Sequence, residues 1–305
     1  MDLTATPTAE NCRRGAYFLA NDHVADLALA FLNSFRSYNP DLALCLIPFD
    51  DDIDTLLSLQ SRFGFTVWAD RHSLVRCDEI SHRIHGFVAG HYRKLAMWDG
   101  PFGEFAYIDT DTVVMANLSF TFPLLKQYAF ITSHSDIPDI QRFVWKETAQ
   151  LAGHLSERQI AFSANTGFIV SKAGEIRLAS VASGLDKALQ LRPCMELTSM
   201  EQPLLNYLIV TSGRPYTSLR QLNRENPWAH FPEERWAGGP VGLVRNGQVV
   251  YPPHPRVLLV HWAGHWRNSD RQEIPHYELW RYYHGLEVAW ASTVGRGTLG
   301  TPEGS

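Results

Sequence analysis

Short apolar runs alternate with amphipathic stripes through the first third of the chain. Residues 16–20 (AYFLA) are continuously apolar and predict a buried strand. Asn21 and Asp22 follow as a helix-capping pair. Val24, Leu27, Ala28, Phe31, Leu32 and Phe35 then recur at helical spacing along one stripe. Asn39-Pro40-Asp41 ends that helix. Residues 42–47 predict a second buried strand. Asp52 is placed to cap a helix carrying Ile53, Leu56, Leu57 and Gln60, with Gly64 as its C-terminal breaker. Strands over 65–68 and 105–108 flank a helix over 92–98, and further strands are expected at 168–170 and 257–260. Alternation of this kind predicts right-handed βαβ units and a parallel sheet covered on both faces.

The expected fold class is therefore α/β: a central, mostly parallel sheet, flanking helices and a loop- and helix-rich C-terminal extension. Residues 1–14 read as an N-terminal arm, 15–270 as the main domain, 271–293 as an aromatic C-terminal helix and 294–305 as a Gly-rich flexible tail. The stretch 223–283 reads as ordered loops and short helices wrapped over the sheet. Residues 133–159 suggest a packed surface helix, with an acceptor lid as the alternative. Tyr277, Trp280, Tyr282, Tyr283 and Trp290 could dock on a membrane interface or a glycan. With Arg281 as the one strong cation of 276–290, packing on the domain is the better reading.

Composition narrows the partners. Hydrophobic residues at 45% and charged residues at 19% are ordinary for a globular protein. A net charge of -5 leaves no electrostatic footprint for nucleic acid. An anionic ligand would then need a local cation or metal. Cys12, Cys45, Cys77 and Cys194 form no Cys-x-x-Cys pair and read as reduced structural thiols. Residues 1–11 lack an apolar leader core, and no apolar run is long enough to span a bilayer. The expectation is a cytoplasmic protein, with peripheral membrane contact left open and the oligomeric state unassigned.

The sharpest chemical feature is Tyr107-Ile108-Asp109-Thr110-Asp111-Thr112-Val113, an apolar strand ending in Asp-x-Asp. Ligands of open parallel sheets bind beyond the carboxyl ends of the strands. Two carboxylates there suit a hard divalent cation that also takes phosphate oxygens. The pattern is weak alone, since Asp50/Asp52 and Asp52/Asp54 repeat it in a loop where capping explains them. Company raises its value. His261 follows a predicted strand, Gly264 would let backbone approach a phosphate, and Arg267 could bind one through its fork. Imidazole is a good third ligand for Mn²⁺. Asn165-Thr166-Gly167 leads into the 168–170 strand, and Glu201-Gln202-Pro203 opens a helix.

The order of these motifs resembles family 8 glycosyltransferases of the GT-A fold, glycogenin-like members in particular. The family's opening Asn-Asp is matched by Asn21-Asp22, its Lys-Leu-x-x-Trp by Lys94 to Trp98, and its Tyr-x-Asp-x-Asp-Thr-x-Val by Tyr107 to Val114. Its Asn-Ser/Thr-Gly is matched by Asn165 to Gly167, its Asp-Gln-x-x-Leu-Asn by Glu201 to Asn206, and its His-x-x-Gly-x-x-Lys by His261 to Arg267. The resemblance covers 16–267 and makes 15–270 a GT-A domain. It implies a UDP-sugar donor and Mn²⁺, or Mg²⁺, held by Asp109, Asp111 and His261. It sets Asn21 and Asp22 near the nucleotide, and Thr110 and Gly264 along the donor. Lys94 and Arg267 would face phosphates, and Asn165, Glu201 and Gln202 the donor sugar, with catalytic roles for Glu201 and Gln202. Here Glu201 stands for the family's Asp, and Arg267 for its Lys.

Transfer with retention is implied, in which the leaving phosphate oxygen takes the acceptor proton. An inverting enzyme would need a carboxylate base, and Glu201 or Asp136 would be the candidates. The acceptor could be a saccharide, protein, lipid or small molecule. One rival is a non-catalytic nucleotide-sugar or glycan-binding protein. Another is a sugar-phosphate nucleotidyltransferase, which would want a Gly-rich loop where residues 20–26 have no glycine.

Overall fold

The computed structural model describes residues 14–226, 228–251, 256–264 and 274–287. Cys12, His265, Trp266, Arg267, Trp290 and the 294–305 tail lie outside the described residues.

The first strand, β1 (Arg14–Ala20), is buried along 15–20, as its unbroken apolar run requires. It leads through a 3-10 turn at Asp22–Val24 into α1 (Ala25–Tyr38). Next come β2 (Ala43–Pro48), α2 (Asp54–Phe63) and β3 (Phe65–Val67). The capping differs from the sequence expectation. Asn21 makes no side-chain cap. The Asp22 carboxylate instead accepts from the Thr55 and Leu56 amides at 2.7 and 3.0 Å, so it caps α2 across space. Asp52 is not needed there, and Ile53 holds the N-cap position with no side-chain cap bond. Gly64 does close α2, at φ 61 and ψ 40, a left-handed conformation that glycine adopts without strain.

The helix α3 (Arg71–His85) was not foreseen, although Asp70 caps it by accepting from the His72 and Ser73 amides. The expected helix at 92–98 is a 3-10 run, Gly90–Asp99, buried throughout 94–98. In that winding residues three apart eclipse one another, so His91 and Lys94 share one side. Then follow β4 (Glu104–Asp109), β5 (Thr112–Val114) and β6 (Phe130–Thr132). Residues 133–159 hold no single surface helix. They carry α4 (Pro138–Gln141), α5 (Thr148–Leu151) and the start of α6 (Glu157–Phe162). Pro138 can only start a helix, and the chain turns again at Gly153 (φ 69). The rest comprises β7 (Phe168–Lys172), α7 (Leu178–Leu191), α8 (Gln202–Thr211), β8 (Tyr216–Ser218) and α9 (Leu219–Glu225). After these come β9 (Glu233–Trp236), β10 (Leu243–Arg245), β11 (Gln248–Tyr251), β12 (Val257–His261) and α10 (Tyr277–His284).

The main sheet has the order β3-β2-β1-β4-β7-β6-β8. Strands β1 to β4 are parallel, while β7 runs antiparallel to both β4 and β6. Alternate side chains go to opposite faces. Tyr17 and Leu19 join the core under α3 and α7, and Ala16, Phe18 and Ala20 the core under α1 and α2. From β1 the chain winds toward β3 on one side, and β4 is added on the other. That makes the β1/β4 boundary a switch point, where a crevice opens beyond the strand ends. A second sheet, β5-β12-β9, sits beside it. The described part of the C-terminal aromatic segment packs inward: Leu279, Trp280 and Tyr283 of α10 are buried with Val113, Val260 and Trp262. No described helix is long and apolar enough to cross a membrane. Cys45, Cys77 and Cys194 are free and buried.

Candidate active site

A cavity of ≈ 610 Å³ opens at the carboxyl end of β4. Its lining includes Lys94, Asp109, Asp111, Asn165, Glu201, Gln202, His261 and Gly264. Asn21, Asp22 and Thr110 are outside that lining. Asn21 donates to Asp50 Oδ2 at 2.6 Å, Asp22 caps α2, and the Thr110 hydroxyl donates to the Leu19 carbonyl at 2.5 Å. Arg267 lies outside the described residues.

Backbone pairing brings distant residues together. Asp109 ends β4 and pairs with Leu19 of β1. The chain then passes into β5, which runs antiparallel to β12, with Thr112 opposite His261. The Trp262 amide donates to the Asp111 carbonyl at 3.0 Å. His261 is thereby fixed beside the Asp-x-Asp turn. One ligand atom from each of Asp109, Asp111 and His261 falls within 4.8 Å of the others.

Gly167 makes room for this convergence. A Cβ there would lie 2.6 Å from His261 Cε1, 2.9 Å from Asp109 Oδ2 and 3.0 Å from Asn165 Oδ1. Its carbonyl accepts from the Asp109 amide at 2.8 Å, and its amide donates to Asn165 Oδ1 at 2.7 Å. The set of two carboxylates and an imidazole fits a hard divalent cation, and Gly167 leaves clear a space bounded by Asp109 Oδ2, the His261 ring and Asn165 Oδ1.

The charges are arranged in two chains. In the first, Lys94 is 2% exposed and its Nζ lies 3.1 Å from Asp109 Oδ1 and 2.5 Å from Glu201 Oε1. Tyr107 donates to the same Asp109 Oδ1 at 2.7 Å, and its ring lies under the ammonium. Two donors thus hold Oδ1 while Oδ2 faces Gly167. Burial opposes charge on both partners of this pair. Asp109 and Glu201 nevertheless hold Lys94 above its ordinary pKa, and Lys94 and His261 hold Asp109 below its own. Removing the cation would leave two acids around a buried hole. We expect Lys94→Met to destabilise the fold by about 3–5 kcal/mol and to lower the thermal midpoint by on the order of 10 °C. Adding Glu201→Gln should recover part of that loss in the same melting experiment.

In the second chain, His261 is 3% exposed. Its Nε2 meets Asp111 Oδ1 at 3.1 Å, and its Nδ1 meets Glu234 Oε1 at 2.6 Å. Burial disfavours the imidazolium, but these two acids outweigh it and push the pKa well up. A metal ion at Nε2 would have to displace that proton, so such binding would strengthen as pH rises.

The chain closing the cavity is strained. Met200 has φ 54 and ψ -114, a conformation costly for a side-chain-bearing residue. Its carbonyl accepts from the Tyr92 hydroxyl at 3.2 Å, and Glu201 follows directly at the start of α8.

No protein-family model and no curated protein matches the chain. Solved structures do. The chain resembles the galactosyltransferase LgtC, solved with donor and acceptor sugar analogs, at a TM-score of 0.56 and 13% identity. The match covers 89% of this chain and 95% of that one. It also resembles the bifunctional glycosyltransferase WbbM, in its apo form, at a TM-score of 0.55 and 13% identity, over 92% of this chain. It spans 51% of WbbM. The fold is that of the GT-A glycosyltransferases.

Within the GT-A frame the cavity also draws on residues that sequence reading missed. Ile140 and Phe143 come from the α4 segment, and Thr198, Ser199 and Met200 from the turn before α8. His91 comes from the 3-10 run, and Trp236, Gly238 and Gly239 from the end of β9. Glu234 stands behind His261, fully buried. A long apolar run does not announce these positions; only the fold gathers them. The His91 and Lys94 pair is the exception, being three apart. Asp136, at φ 56 and raised in pKa by burial, is not part of the lining.

Proposed function

We propose that this protein is a metal-dependent glycosyltransferase of the family 8 type. It would move a sugar from a UDP-linked donor to an acceptor hydroxyl, with retention of configuration. The observation that carries this reading is the meeting of Asp109, Asp111 and His261 on the floor of a cavity at the sheet's switch point.

Asp109, Asp111 and His261 would hold the ion, Mn²⁺ or Mg²⁺. When bound, that ion supplies electrophilic stabilisation of the negative charge gathering on a departing diphosphate. Lys94 keeps Asp109 ionised and turned. Asn165 is held by its Oδ1, which leaves its amide NH₂ as a donor to the sugar. Gln202 is fixed at both ends, accepting from the Thr166 amide and donating to the Phe143 carbonyl, each at 3.2 Å. Such fixed dipoles orient a bound sugar with little reorganisation. Glu201 gives one oxygen to Lys94 and presents the other to a donor-sugar hydroxyl. By the resemblance to family 8, Asn21 and Asp22 would lie near the nucleoside and Arg267 would face the phosphates.

The two acids that could serve as an inverting base favour retention by their positions. Asp136 is outside the cavity, and Glu201 is tied to Lys94 at 2.5 Å. With Asp136 away from the lining and Glu201 paired to the buried Lys94, neither of the two carboxylates weighed as a base is well placed for it, which supports transfer of the acceptor proton to the leaving phosphate oxygen. A saccharide acceptor suits a cavity whose outer lining mixes Phe143 and Trp236 with Thr198 and Ser199.

Thermal shift and product assays test this together. UDP with Mn²⁺ should raise the melting midpoint more than either alone, and at least one UDP-sugar of a panel should release UDP. Excess EDTA should stop that release and Mn²⁺ restore it. Full activity in EDTA would remove the metal from the reaction. Stabilisation without turnover of any donor would mark a binding protein.

A further inference from the structure

A one-residue irregularity in β12 decides which side chains of β9 meet His261. At the start of the pair Val257 is opposite Glu233. Afterwards Leu259 is opposite Glu234, Val260 opposite Arg235 and His261 opposite Trp236, so β12 carries one extra residue after Val257. Residues paired in a ladder point to the same face, and successive residues alternate. An unbroken register would set His261 opposite Ala237 and on the face of Arg235. The bulge turns Glu234 and Trp236 to that face instead.

Glu234 is 0% exposed, a place where a carboxylate survives only with its oxygens satisfied. Oε1 accepts from His261 Nδ1 at 2.6 Å and from the Trp236 indole at 2.9 Å. Oε2 accepts from the Ser133 hydroxyl. An ionised carboxylate can only accept, so Nδ1 carries the hydrogen and Nε2 is the nitrogen left for an ion. Of these partners His261 and Trp236 both line the cavity.

We propose that Glu234 is a positioning residue: it holds the His261 ring with Nε2 toward Asp109 and Asp111, and through one oxygen it ties the Trp236 wall to that ring. This role depends on Asp109, Asp111 and His261 being metal ligands. A carboxylate behind a ligating imidazole fixes its tautomer and orientation, and its loss weakens metal binding by about 10–100-fold.

The test is Mn²⁺ titration of the purified full chain, followed by electron paramagnetic resonance with detection of ¹⁴N modulation from the coordinated imidazole. Glu234→Gln should weaken Mn²⁺ by about 10–100-fold and diminish the nitrogen modulation. Its metal-free melt should stay cooperative, and saturating Mn²⁺ should restore most of the transfer rate. A merely structural Glu234 would leave affinity and modulation unchanged, and that result overturns the proposal. If Glu234→Gln does not fold, Trp236→Phe removes one donor from the same oxygen while keeping the His261 bond. It should weaken Mn²⁺ by about threefold and alter the nitrogen coupling; no change in either overturns the proposal. Asp111→Asn separates the two levels. If the wild type takes up no Mn²⁺, the metal reading falls and takes Glu234 with it. If Asp111→Asn abolishes uptake and Glu234→Gln does not change it, the role of Glu234 alone falls.

Discussion

Asp111→Asn is expected to lower kcat/KM for sugar transfer by at least about 10³-fold while leaving the chain folded. The amide is nearly the same size, and the turn is held by backbone: the Trp262 amide donates to the Asp111 carbonyl, and the Thr112 hydroxyl to the Asp109 carbonyl. What disappears is the negative charge of one of the three proposed ligands, the charge that faces His261 Nε2. Steady-state UDP release measured beside a circular-dichroism melt checks both halves. Activity within tenfold of the wild type would remove Asp111 from the metal shell, and with it the reason for the arrangement.

Gly167→Ala should come second in effect, through space rather than charge. The added methyl meets His261, Asp109 and Asn165 at 2.6 to 3.0 Å, and none of the three can retreat alone. Asp109 is held by Lys94 and Tyr107, His261 by Glu234, and Asn165 by the Gly167 amide itself. Misplacement of reacting groups by about 1 Å costs on the order of 10²-fold in rate, and overpacking costs about 1–3 kcal/mol in stability. Transfer should fall by about 10²-fold or more. A fully active Gly167→Ala would show that the ligands have slack that their contacts deny.

The parts of this molecule legible in sequence were those set by local pattern. The continuous apolar run of β1 and the αL glycine closing α2 behaved as expected, and so did the strand that ends in Asp109. Capping was misread because Asp22 serves a helix that follows it only after a whole helix and strand, a contact no neighbouring residue announces. The α3 helix hid behind a polar, His- and Arg-rich face. Lys94, Asp109, Glu201 and His261 could be singled out by their motifs, and the sheet brings them into one lining. Glu234 could not. Its face depends on the β12 bulge, and an extra residue in a strand leaves no periodic trace.

The pairing of β5 with β12 also bears on how the molecule matures. Asp109 ends an early strand and Asp111 sits in the turn that follows it, whereas their imidazole partner belongs to a late segment that must travel back to dock. Closing so long a loop is entropically slow, so a partly folded chain would own a pair of acids and little more. Any ion binding the complete trio therefore favours the finished chain by mass action. Manganese in the refolding buffer would then act as a selective brace for the last docking step.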